Sequence, residues 1–325
     1  MPNSYFPATH SLLSASALLS YAQEHYEMGR ALECHLLDRG WNDTYLIRAS
    51  SGNYIVRVYR TGWRSLSDIL YELDMLLHLH GKDVPVSSPL AMKEGSLVST
   101  VNTLEGPRQV VLFTFAEGER PRWPRDETYS RAYGQAVARV HSALDDFTSP
   151  HTRFGLDLDH LLENPLRTIL PLLSDRPEDQ AYLLDLVTVI KQRLDDLPRG
   201  ELEWGACHGD FHGGNARIRR DLQVIFFDFD CCGPGWRAYD LAVFRLTRAL
   251  KQEEKLWEDF LAGYLQQRTL CTLDLEAVPF FMTIRQIWRL GMHTSNAAYW
   301  GSDFLNKRYF DSNMQLLREL GEACA

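Results

Sequence analysis

Positive charge is scarce in this chain and is nowhere gathered. Lysine and arginine together number 34 against 43 aspartates and glutamates, for a net charge of −9. No Lys/Arg-rich run is present, so the electrostatic footprint of a nucleic-acid binder is missing and no nucleic-acid partner is expected. The acidic balance leans, if anything, toward a cationic substrate. Cysteine is also sparse: six residues, Cys34, Cys207, Cys231, Cys232, Cys271 and Cys324. They form no Cys-x-x-Cys pair and no regular framework, which reads as reduced thiols in a cytoplasmic protein. No apolar run reaches the length of a membrane span, so no membrane partner is expected. Residues 12–22 are apolar, but no Lys or Arg precedes them and Gln23-Glu24-His25 continues them as an amphipathic helix, unlike a secretory leader. Internal repeats and low-complexity tracts are absent, and nothing fixes an oligomeric state.

What is present suits an ordinary globular protein. A chain of 325 residues, 45% hydrophobic and 24% charged, is long enough for two lobes with separate cores. Its most informative stretch spans residues 207–230. Cys207-His208-Gly209-Asp210-Phe211-His212-Gly213-Gly214-Asn215 is followed by a basic turn, Arg219-Arg220-Asp221, and then by the apolar strand Val224-Ile225-Phe226-Phe227 ending in Asp228-Phe229-Asp230. An aspartate, an asparagine five residues on, and a later strand-borne aspartate have the spacing of a phosphoryl-transfer loop and its metal-binding strand. In-line transfer needs one carboxylate to orient and deprotonate the attacking hydroxyl, which suits Asp210. It also needs oxygen ligands for Mg²⁺ on the nucleotide phosphates, which suits Asn215 and Asp228.

The string His-Gly-Asp-x-His-x-x-Asn, with Phe-Asp-Phe-Asp and then Ala238-Tyr239-Asp240-Leu241-Ala242, resembles the aminoglycoside phosphotransferase and choline kinase-like family, which includes homoserine kinases and a stress-response protein kinase. The resemblance is strongest over residues 205–245. It implies an α+β, bilobal protein-kinase-like fold, with Asp210 as catalytic base and ATP and Mg²⁺ as cofactors. Two other readings of the same residues stay open. His208, Asp210 and His212 alternate and would chelate zinc from one face of a strand, and a degraded kinase fold would bind nucleotide without transferring phosphate.

Upstream, residues 11–27 read as a helix and residues 45–49 and 53–59 as a hairpin joined at Ser50-Ser51-Gly52. By the resemblance the preceding loop covers the nucleotide phosphates, and Asn42 matches a frequent asparagine there, although no Gly-x-Gly-x-x-Gly is present. Alternation places Ile55, Arg57 and Tyr59 on one face of the second strand. A cation in an apolar strand must meet an anion unless it snorkels from an edge. Arg57 stands where kinase-like enzymes carry a phosphate-binding lysine, and Glu72, on a helix opened by the capping box Ser65-Leu66-Ser67-Asp68, is placed to pair with it. Two further strand-like runs, 96–101 and 108–116, complete a small antiparallel sheet lobe, residues 1–115. By resemblance the adenine lies against the backbone of Thr114 to Ala116.

Residues 116–325 read as a helical catalytic and acceptor-binding lobe, with the chain delivered to the catalytic loop by the Pro198-Arg199-Gly200 break. His141 is expected to be a core or capping histidine, and Asp240 to receive backbone amides and brace the loop. Asp230 replaces the glycine of a protein kinase's Asp-Phe-Gly and is either an acceptor contact or a turn residue. Ile284, Trp288 and Met292 recur with helical spacing, with Arg285 and Arg289 between them. Aromatic rings would cage an amine and arginines would grip a carboxylate or phosphate, so Trp288 and Arg285 join Asp230 as candidate acceptor contacts. The function read from the sequence is ATP-dependent phosphorylation of a hydroxyl on a small molecule such as an aminosugar, amino alcohol, choline-like or homoserine-like compound. A protein Ser/Thr kinase of the same fold is the nearest rival.

Overall fold

The computed structural model describes residues 7–121, 127–196, 202–249, 253–322 and 324; the Pro198-Arg199-Gly200 break lies outside them. The chain forms two compact units. Unit 1 comprises Met1–Gly118, Thr148–Arg153 and Ile225–Asp230, and unit 2 comprises the remainder.

In unit 1, α1 (Ala15–His25) precedes strands β1 (Ala31–Arg39), β2 (Asp43–Ala49) and β3 (Gly52–Val58), then α2 (Leu66–Gly81), β4 (Ser99–Thr103) and β5 (Gly106–Thr114). The strands form one antiparallel sheet in the order β1-β2-β3-β5-β4. Period-2 alternation divides its faces. Tyr45, Ile47, Val56, Val58, Val110 and Leu112 pack with Leu18 and Ala22 of α1. Arg57 and Tyr59 turn the other way and reach Glu72 of α2. The Ser65 hydroxyl accepts the Asp68 amide and the Asp68 carboxylate accepts the Ser65 amide, so α2 begins with the capping box read from the sequence. No strand was read at residues 31–37. β1 carries two register shifts and is exposed along most of its length, so burial imposes no alternation there.

One charge anchors this sheet from within. Arg108 is 1% exposed; its guanidinium donates to Asp43 (2.7 Å) and to the carbonyls of Tyr59, Val58 and Ser11. Asp43 is equally buried, so loss of the arginine leaves that carboxylate with His10 Nε2 (3.1 Å) as its remaining side-chain partner.

Unit 2 holds α3 (Glu127–Ala143), α4 (Asn164–Ile169), α5 (Pro177–Asp196), β6 (Trp204–Cys207), β7 (Ala216–Ile218) and β8 (Val224–Phe226), where the chain passes into unit 1. After its return come β9 (Gly233–Trp236), α6 (Arg237–Ala249), α7 (Glu254–Leu265), α8 (Thr272–Ser295), α9 (Ala297–Trp300) and α10 (Lys307–Glu322). Helices α3 and α7 cross in close contact, because a side chain at Gly134 would strike the Phe260 carbonyl and one at Gly263 the Arg131 carbonyl. Tyr133, Phe244 and Phe260 stack beside this crossing. α8 packs against α4 and α6, and β6 pairs with β9; these contacts fix the two elements that bear on the loop after β6.

Replacing Arg108 by methionine is expected to lower the unfolding free energy by roughly 3–5 kcal/mol in urea denaturation. A loss under about 1 kcal/mol would show that the buried pair does not anchor the sheet.

Candidate functional site

The loop after β6 is held by one buried carboxylate. Asp240, fully buried at the start of α6, accepts the amide of His208 through Oδ2 (2.9 Å) and that of Gly209 through Oδ1 (2.7 Å). His141 Nε2 lies 3.1 Å from the same Oδ2, and its Nδ1 is 2.9 Å from the Tyr264 hydroxyl. Burial holds the His141 imidazole below its ordinary pKa, against the pull of Asp240 toward the cation. At neutral pH it is therefore a neutral spacer that fixes the carboxylate. Gly209 has φ +78°, and a side chain there would meet the Cys231 carbonyl, so the turn needs glycine. His208 is buried, and its Nδ1 accepts the Asp210 amide (3.1 Å).

These contacts present Asp210, whose side chain keeps 17% exposure. Its Oδ1 pairs with Arg285 and its Oδ2 accepts from Asn215 Nδ2 (2.9 Å), with His212 Nε2 at 3.3 Å. Burial alone would raise its pKa, but Arg285 and His212 outweigh burial and hold the carboxyl well below the usual range, so it is an anion at working pH. Asn215 also donates to the Asp210 carbonyl (3.1 Å). Its amide oxygen has no protein donor among the described residues and suits a hard cation. Among those residues no group of three or more His, Cys, Asp or Glu side chains is arranged to hold a metal. The alternation of His208, Asp210 and His212 is thus spent on loop contacts, not on zinc ligation.

In unit 1, Arg57 is 8% exposed and donates to Glu72 Oε1 (2.7 Å) and to Asp228 Oδ1 (2.9 Å). The Tyr59 hydroxyl donates to the other Glu72 oxygen (2.9 Å). Burial raises the Glu72 pKa despite Arg57, and the guanidinium is held charged by its two carboxylates against the cost of burial. Asp228 adopts φ +63°, uncommon for a residue with a side chain, and its side chain is 44% exposed. Such backbone persists only where neighbours enforce it.

Asp230 supplies that enforcement. Its Oδ1 accepts from Asn42 Nδ2 (3.3 Å) and Arg64 Nε (3.3 Å), and its Oδ2 from Trp63 Nε1 (2.8 Å) and Arg64 Nη2 (3.0 Å). Arg64 and Arg153 both donate to its carbonyl. Burial would raise the Asp230 pKa, but Arg64 and Arg153 hold it low. Both carboxylate oxygens accept hydrogen bonds within unit 1, so Asp230, read as either an acceptor contact or a turn residue, tethers this segment. Asn42, read as a nucleotide-loop residue, is one of its partners. Its Nδ2 is on Asp230 and its Oδ1 accepts the Arg60 amide (3.1 Å), leaving the side chain to tie the β1–β2 loop down. Trp63 and Arg64, missed in the sequence, lie in an irregular segment with no period to mark them.

Of the two residues read as lying against the adenine, only Ala116 has backbone to offer. The Thr114 amide donates to the Ser88 carbonyl (2.9 Å), and its carbonyl accepts from the Ser87 hydroxyl (2.5 Å). Ala116 is 7% exposed, and neither its amide nor its carbonyl has a hydrogen-bond partner among the described residues. Trp288 lies beneath Arg285, with the guanidinium 4.3 Å from its ring centroid. It is a platform for that cation and not a wall open to an acceptor.

An ionised aspartate on a braced loop, with an asparagine amide oxygen alongside, has the residue types that phosphoryl transfer calls for. The chain belongs to the phosphotransferase enzyme family (APH), whose model matches residues 33–278. It is 41% identical over 323 residues to an uncharacterised protein of Deinococcus radiodurans, covering 98% of this chain and 93% of that one. It is 26% identical over 263 residues to a homoserine kinase of Rhodospirillum rubrum, covering 79% and 78%. Among solved structures, an amicoumacin kinase in complex with AMP-PNP, Ca²⁺ and Ami aligns with a TM-score of 0.77 at 19% identity, covering 95% of this chain and 94% of that one. The fold is therefore the two-lobed kinase-like α+β fold that the sequence implied. Among the described residues no helix is long and apolar enough to cross a membrane.

The neutral burial of His141 has a pH consequence. Its folded pKa lies below its unfolded value of about 6.5, so the unfolded chain binds the extra proton first. That contribution to stability is complete above about pH 6.5 and is lost as pH falls below it. In urea titrations the wild type is expected to lose up to about 1.4 kcal/mol per pH unit more than His141→Gln over that window. Parallel curves would show that His141 is not held neutral.

Proposed function

We propose that this protein transfers the γ-phosphoryl group of ATP to a hydroxyl group of a small molecule. The observation that carries the reading is the ionised Asp210, presented on a loop that Asp240 fixes through two amides. In the proposed step the alcohol oxygen forms a bond to the γ-phosphorus as the bond to the ADP oxygen breaks. The hydroxyl proton passes to Asp210 and then to solvent. Asp210 orients the alcohol, and Arg285 steadies its negative charge before the proton arrives. Arg57, braced by Glu72, takes the nucleotide phosphates, and its fork suits bidentate contact with them.

Residues 1–115 would carry the nucleotide and residues 116–325 the catalytic loop and acceptor, with the Ala116 backbone meeting the nucleobase edge. Asn215 and Asp228 supply the oxygens that would hold Mg²⁺, which when bound neutralises phosphate charge. Support for ATP comes from the family and from the nucleotide analogue in the amicoumacin kinase structure. Six free cysteines suit a reducing compartment, and we place the reaction in the cytoplasm. Positioning and charge neutralisation supply most of the acceleration.

Asp210→Asn is expected to abolish transfer, with nucleotide affinity close to wild type in calorimetric titration. Asp228→Ala is expected to weaken the metal-dependent part of nucleotide binding itself. Full turnover by Asp210→Asn would remove the role given to this carboxylate.

A further inference from the structure

Two arginines and a histidine lie on one face of α8, at Arg285, Arg289 and His293, each one turn from the next. Arg285 is engaged through both terminal nitrogens. It pairs with Asp210, donates to the Gly209 carbonyl and the Tyr239 hydroxyl at 3.2 Å each, and rests on Trp288. Arg289 differs. Its Nη1 donates to Gln286 Oε1 (3.2 Å), while Nε and Nη2, the side-on edge of the guanidinium, have no protein partner among the described residues. The groups bearing on Arg289 are Arg285, the Tyr309 phenol and Asp210, and the last is already taken. His293 is directed by its Nδ1 onto the Tyr309 hydroxyl (2.7 Å), and burial with the two arginines keeps it neutral.

A half-buried guanidinium beside a second guanidinium, with no carboxylate of its own, lacks an anion. We infer that the acceptor is a small alcohol bearing an acidic oxyanion, a carboxylate or a phosphate, seated on the Nε–Nη2 edge of Arg289 with its hydroxyl toward Asp210. The inference rests on the phosphotransfer reading and names its substrate class. The side-on edge presents two parallel N–H donors, the geometry that a carboxylate or phosphate takes up bidentately. Residues 285 and 289 stand roughly 6 Å apart along the helix, so a short chain of three or four carbons separates acid from hydroxyl. The two arginines disfavour a positively charged acceptor, since among the described residues the carboxylate that bears on them is Asp210. The chain's overall acidity is therefore a poor guide to the charge of its substrate.

The test uses matched compounds with the full-length protein and AMP-PNP. Homoserine and 3-aminopropan-1-ol share an amine and a terminal alcohol and differ by the carboxylate. Glycerol 3-phosphate tests phosphate as the anion, and choline is the cationic comparison. By calorimetry the wild type is expected to bind homoserine or glycerol 3-phosphate at least about tenfold more tightly than the acid-free alcohols. Arg289→Gln should erase that preference and Arg289→Lys restore part of it. Whichever anion binds identifies the source of the oxyanion.

Equal or tighter binding of choline or 3-aminopropan-1-ol would overturn the inference. So would a preference that survives Arg289→Gln, or failure of both acids to bind at millimolar concentration. Turnover assays with ATP separate the two claims. Efficient phosphorylation of choline alone keeps the phosphotransferase and removes the acid. Binding of an acid through Arg289 without transfer to any acceptor keeps the anion site and removes the transfer.

Discussion

A carboxylate withdrawn from water must be met by donors or it takes up a proton. This chain withdraws several and meets each differently. Asp240 is met by two loop amides and a neutral histidine, Asp230 by an indole, an asparagine and an arginine, Asp210 by Arg285, Asn215 and His212, and Glu72 by Arg57 and Tyr59. The donors decide the outcome. Asp230 and Asp240 have their oxygens spent and act as fixed points in the backbone. Asp210 keeps an exposed fraction on a loop that cannot sag, which is what a group addressing a substrate requires.

Within unit 1 the consequence is a turn held in uncommon backbone. Asp228 sits at positive φ between Arg57, which takes its side chain, and the Asp230 tether two residues on. A glycine would adopt this turn at no cost in strain but would bring no carboxylate. The Trp63, Arg64 and Asn42 donors therefore stabilise a conformation whose value lies in what Asp228 presents.

Asp210, Asn215 and Asp228 stood out in the sequence because the phosphoryl transfer proposed for them demands fixed residue types at fixed spacing, with no knowledge of the fold. Arg57 and Glu72 were legible for a different reason, since a cation in an apolar strand needs an anion on whatever packs over it. β1 was illegible because most of its residues are exposed and only Ala31 and Cys34 pack against the core, so little selected an alternating pattern. Asn42 and Asp230 were recognised as residues of interest, but their partners in unit 1 were not foreseen. Short polar side chains near a site contact ligand or backbone with equal ease, and only coordinates show which lone pairs are taken. The same holds for Thr114, whose backbone is consumed by Ser87 and Ser88.

Arg285 and Arg289 show how far a residue's type underdetermines its work. Both lie on one face of α8 and both are cations near Asp210, yet the first has both terminal nitrogens engaged, while the second, among the described residues, has only Nη1 engaged. A satisfied guanidinium sets the charge state of the carboxylate beside it and has little left for a ligand. An unsatisfied one in partly buried surroundings is destabilising until an anion arrives, so binding of that anion recovers what folding left unmade. The proposed acceptor selectivity would then reside one helical turn from Arg285, the partner of Asp210.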